Sequence, residues 1–141
     1  MYSILVPVDG SEHSDNAVRY AIDLARTKSD GELFLLTVHI PVLSGGVKMF
    51  ISVEQLNDFY QDEGNRTLES ARAMADKAGM KYRHHVAVGH IGETIAAHAK
   101  KHGCKQIVMG THGHGSMGNL VLGSVATKVI HLTDLPVTLV K

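Results

Sequence analysis

The chain has 141 residues, enough for one domain of ordinary size and too few for two. Lys plus Arg number 14 and Asp plus Glu number 14, so the net charge is zero with histidine neutral, and 44% of the residues are hydrophobic. That composition excludes a disordered chain and a nucleic-acid binder that depends on a basic surface to hold phosphates. Histidine is the unusual residue, with ten in the chain. The single cysteine, Cys104, has no internal partner, so nothing calls for an oxidising compartment. The N-terminus lacks the basic segment of a signal peptide. No apolar stretch approaches the roughly 20 residues that cross a bilayer. The expected location is the cytoplasm.

Two apolar periods alternate along the chain. Ile4-Leu5-Val6-Pro7-Val8 is a short continuous apolar run, as in a strand buried on both faces. Asp9-Gly10-Ser11 marks a turn and a helix start. Ala17, Val18, Ala21, Ile22 and Ala25 then form one stripe at helical spacing. Leu33 to Val38 reads as a second buried strand, and Pro41 to Gly46 as a loop with Gly45-Gly46 as its flexible point. A long helix is expected from Val53 to Ala78, with Gly64 allowing a bend at a cost near 1 kcal/mol relative to alanine and Gly79 ending it. Tyr82 to Val88 is the third strand, made polar by His84-His85. Ile91, Ile95 and Ala99 lie four apart on a further helix closed by Gly103. Gln106 to Met109 is the fourth strand, followed by a glycine-dense loop from Gly110 to Gly123 with space for a helical turn at Asn119 to Leu122. Ser124 opens the last helix, to about Leu132, and Pro136 to Val140 is the fifth strand.

The order βαβαβαβαβ implies a single α/β domain, an open five-stranded parallel sheet covered by helices on both faces. Right-handed crossovers leave few topologies, and strand order 3-2-1-4-5 or its flavodoxin-like variant is expected. Ligands in such sheets sit beyond the carboxyl ends of the strands, where the winding reverses. Here those ends are Pro7 to Ser11 and Gly110 to Ser124. The second segment carries Gly110, Gly113, Gly115, Gly118 and Gly123. Glycine lets main-chain N–H groups approach an anion closely, and the helix start after Gly123-Ser124 is a natural phosphate site. Taken alone, Ser124 reads better as a plain N-cap, worth about 1 kcal/mol, but beside four other glycines the anion site prevails; Asp9 has a second reading as a turn or capping carboxylate. Gly113 to Gly118 also satisfies G-x-G-x-x-G. In a dinucleotide-binding fold that fingerprint follows the first strand, not the fourth, so a dehydrogenase is excluded.

The spacing that fits is Gly110, two residues, Gly113, nine residues, Gly123-Ser124. It resembles the G-2x-G-9x-G-(S/T) pattern of the ATP-binding branch of the universal stress protein family. The resemblance extends over Ile4 to Ser11, Leu35 to His39 and Pro136 to Val140. It implies that Pro7 and Asp9 lie against the nucleoside, and that the backbone at Val38 reads the adenine edge. It further implies that Gly110, Gly113, His114, Gly115 and Ser116 surround the ribose and phosphates, and that Gly123, Ser124 and Val125 hold the phosphate chain. Relatives often carry arginine where this chain has His114. A neutral imidazole attracts a triphosphate less, so affinity is expected to be lower, or to rise as pH falls. Lys128 is the nearest obvious cation, one turn into the last helix.

His112 with His114 and His84 with His85 suggest a metal. Structural zinc needs four ligands, no cysteine pairs are present, and His84 and His85 on a strand face opposite sides. No protein-built metal site is expected; Mg²⁺ would be carried mainly by ATP phosphates. His98 and His102, one helical turn apart, are expected on a solvated face. The P-loop, kinase and G-x-S-x-G signatures are absent. The expected activity is therefore ATP binding by a stress-response or regulatory protein with at most slow turnover. A phosphoryl-transferring or ATP-hydrolysing enzyme using Asp9 with His112 or His114, and a nucleotide-independent dimeric module, are the alternatives. The apolar fifth strand is a template for pairing, and the resemblance implies a homodimer through its twin.

Overall fold

The computed structural model describes residues 1–41, 52–114 and 122–141. Five strands, β1 (Tyr2–Pro7), β2 (Gly31–His39), β3 (Tyr82–Val88), β4 (Gln106–Gly110) and β5 (Val137–Val140), form one sheet in the order 3-2-1-4-5. Every neighbouring pair is parallel. Four helices connect them among the described residues: α1 (Glu12–Arg26), α2 (Val53–Lys77), α3 (Ile91–Lys101) and α4 (Ser124–Leu132). The expected turn at Asn119 to Leu122 and the Gly45-Gly46 point lie wholly or mostly outside the described residues.

Alternation along the strands divides the core in two. Ile4, Val6, Leu33, Leu35 and Val108 face α1 and α2, against Ala17, Val18, Ala21, Leu68 and Ala71. Leu5, Phe34, Leu36, Ile107 and Met109 face α3 and α4, against Ile95, Ala99, Ala126 and Val129. Burial on both faces explains why these strands read as continuous apolar runs.

Local chemistry sets the helix ends. Ser11 caps α1 by accepting from Ser14 N at 3.2 Å. Ser52 and Gln55 form a reciprocal capping box on α2. Helices α2 and α3 stop before Gly79 and Gly103, which take φ of +66° and +64°. Two expectations change. Helix α2 runs through Gly64 unbroken: a Cβ there would stand 2.4 Å from both Cγ atoms of Val86, so this glycine permits close helix-to-sheet contact. The N-cap of α4 is Gly123, and Ser124 is its first helical residue.

Candidate functional site

The chain leaves β1 and β4 in opposite directions, α1 covering one face of the sheet and α4 the other. Between the carboxyl ends of the two strands lies a cavity of about 420 Å³. Pro7, Asp9, Val38, Gly110, Gly113, His114, Gly123, Ser124 and Val125 all line it, although they come from four separate segments. Gly115 and Ser116 lie outside the described residues.

The turn after β1 is tightly bonded. Asp9 Oδ1 accepts from Ser11 N at 2.8 Å, and Asp9 N donates to Ser14 Oγ at 3.3 Å. Asp9 thus fills the turn role weighed from its sequence, and its second oxygen faces Gly113, 2.5 Å from where a Cβ would stand. The ring of His114 closes over this turn, with Nε2 2.7 Å from the Asp9 carbonyl oxygen. A carbonyl only accepts, so Nε2 carries the proton. His112 Nδ1 meets Thr111 Oγ1 at 3.0 Å, and its ring lies 5.6 Å from that of His13.

On the α4 side, Gly123 N donates to Thr111 O at 2.7 Å, fixing the helix start beside the end of β4. Gly123 brings no capping side chain, in contrast to Ser11 and Ser52. The first N–H groups of α4 are thus left without a side-chain cap, and Gly123, Ser124 and Val125 line the cavity. Lys128 does not join them: its Nζ pairs with Glu93 at 3.6 Å, and its stem rests on Gly92.

Deeper in, Leu36, Val38, Ile91, Ile95, Met109 and Ala126 form an apolar slot. Sequence reasoning placed Ile91 and Ile95 on one helical stripe but not in this wall. Their spacing was visible; the meeting of that stripe with the end of β2 depends on how α3 crosses the sheet. Ser14 and Thr111 were missed likewise.

A family model described as Universal stress protein family matches residues 1–141. The chain belongs to that family. Universal stress protein MJ0531 of Methanocaldococcus jannaschii is 32% identical over 98% of this chain and 81% of its own length. The solved structure of protein MJ0577 has a TM-score of 0.85 and 28% identity, covering 99% of this chain and 95% of that one. A universal stress protein from Archaeoglobus fulgidus, solved in complex with dAMP, shares the fold with a TM-score of 0.68 and 24% identity, covering 100% and 98%.

His84, His85, His98 and His102 are not among the residues that line the cavity. His98 and His102 do not stand in solvent as expected; both are half-buried. Their rings stack at 5.5 Å, His85 lies 5.1 Å from His98, and Phe34 lies 4.6 Å from His102. His98 Nδ1 is buried without a hydrogen-bond partner. Burial first, then the charges of His85, His102 and Lys101, holds the His98 pKa below its ordinary value. Burial, Arg83, Lys101 and His85 do the same for His102. Among the described residues no three His, Cys, Asp or Glu side chains converge to hold a metal. The unfolded chain takes up protons first as pH falls, so this cluster destabilises the fold on acidification. Stability from this source is complete above about pH 6.5, the ordinary imidazole value, and is lost on descending toward the depressed native values. The expected result is a Tm that falls between pH 7 and 5.5 in the native protein and falls less in His98→Gln/His102→Gln. Equal slopes in a calorimetric pH series would refute this.

Proposed function

We propose that this universal stress protein binds an adenine nucleotide, ATP or a product of it, in the cavity between β1 and β4, and acts as a cytoplasmic regulatory protein in stress responses with at most slow turnover. The observation that carries the reading is the pairing, in one cavity, of an apolar slot with an uncapped helix N-terminus set among glycines. A flat aromatic base suits the slot, and a phosphate suits the helix end. Asp9 would lie near the ribose and the Val38 backbone near the base edge, while Gly115 and Ser116 would complete the phosphate loop. Mg²⁺ would arrive with the phosphates, because Asp9 is the only carboxylate among the described lining residues.

Mass spectrometry of ligand released from freshly purified protein, followed by calorimetry on ligand-free protein, tests the reading. Ile91→Trp, at the half-buried start of α3, should fill the slot and weaken adenine-nucleotide binding about 100-fold without unfolding the chain. Absence of binding by the native protein to any adenine nucleotide would overturn it.

A homodimer through β5 belongs to the same proposal. This strand pairs with β4 along one edge only, and Val137, Thr138, Leu139 and Val140 are all half-buried in the single chain. Light scattering at micromolar concentration should report two chains; a monomer would refute the dimer.

A further inference from the structure

Resting on the adenine-nucleotide reading, we propose that the cavity selects its ligand by phosphate charge. Without a metal ion it prefers a nucleoside monophosphate to a triphosphate. Asp9 is the only formally charged residue among the described residues that line the cavity. From Gln106 to Thr127 the sequence contains no Lys, Arg, Asp or Glu, so the whole glycine loop adds no cation. Lys128, the first cation beyond it, is paired with Glu93. The first turn of α1 on the other side is acidic, with Glu12 and Asp15.

Among the described residues that line the cavity, what remains to attract phosphate is main chain and imidazole. The end of a helix supplies the equivalent of roughly half a positive charge. Glycine N–H groups add directed donors but no net charge. His114 already uses Nε2 on the Asp9 carbonyl, and His112 is bonded to Thr111. A monophosphate carries about two negative charges near neutral pH, which one helix end and a few N–H groups can solvate. A metal-free triphosphate brings about two more with no compensating cation among the described lining residues, whose one charged side chain is the Asp9 carboxylate. The unfavourable part lies in the outer phosphates, so the base slot and the first phosphate contribute equally in both ligands.

Calorimetry at pH 8, above the ordinary imidazole pKa of about 6.5, with adenosine, AMP, metal-free ATP and ATP plus Mg²⁺, tests this. AMP should bind about tenfold or more tightly than metal-free ATP, and Mg²⁺ should tighten ATP but not AMP. Asp9→Asn and His114→Arg should each narrow the gap, the first by removing the anion and the second by adding a permanent cation at an exposed position. Metal-free ATP binding as tightly as AMP, or a gap unmoved in both variants, would overturn charge selection while leaving the adenine reading intact. Failure of all four ligands to bind would instead overturn that reading, and charge selection with it.

Discussion

Arg83→Ala should lower the unfolding free energy by about 3 kcal/mol, the low end for breaking a buried ion pair. Glu32 on β2 is 1% exposed, and its Oε1 lies 3.1 Å from the Arg83 guanidinium on β3. Among the described residues that oxygen makes no hydrogen bond, so alanine at 83 removes its ion-pair partner and leaves a buried charge without compensation. The guanidinium itself is 45% exposed, and water there keeps the cost at the low end. Arg83 also lies over the Phe34 ring, 5.0 Å from its centroid, and alanine would uncover that ring face. The double variant Glu32→Leu/Arg83→Leu should recover most of the stability, because paired removal leaves no orphan. Urea unfolding at pH 7 decides the matter; a single-variant effect below about 1 kcal/mol would show that solvent already screens Glu32.

Gly64→Ala should destabilise the protein by about 1–3 kcal/mol, the usual cost of overpacking. Helix propensity alone gives the opposite sign, a gain near 1 kcal/mol for alanine within α2. The geometry overrides it. Both Val86 methyls stand 2.4 Å from the new Cβ, and the Val86 Cβ itself stands at 3.0 Å. Relief requires either a shift of α2 off the sheet or a strained Val86 rotamer. Val86→Ala removes the two methyls, so the pair should be less damaging than the sum of the single changes, with a coupling near 1 kcal/mol. A Gly64→Ala protein as stable as the native one would show that α2 can move at no cost.

These two cases mark the boundary between what was legible in the chain and what was not. Strands β1, β2 and β4 were legible because strands buried on both faces are continuous apolar runs, and their alternation with helical stripes prescribes a parallel, doubly covered sheet. The candidate site was legible because its glycines fall at the end of β4, where this topology leaves a crevice. The roles of Gly64 and Ser124 were not. A glycine inside a helical pattern looks like a weakness until the strand beneath it is known. A serine at a helix start looks like a cap until backbone angles place Gly123 there. The stacking of His98 and His102 over Phe34 was hidden for the same reason: one helical turn of spacing says that the two share a face, not what that face meets.

The local pattern of residues was sufficient for the element order, the parallel sheet and the absence of fixed charge between Gln106 and Thr127. Each of these depends on neighbours in the chain, through hydrogen-bond period, side-chain alternation or plain composition. Three-dimensional packing alone determined that Ile91 and Ile95 would wall the cavity, that Lys128 would turn to Glu93, and that Glu32 would be buried beneath Arg83. Those outcomes depend on strand register and on the angle at which each helix crosses the sheet. Both are set by the packing of all the layers together, so no single segment encodes them.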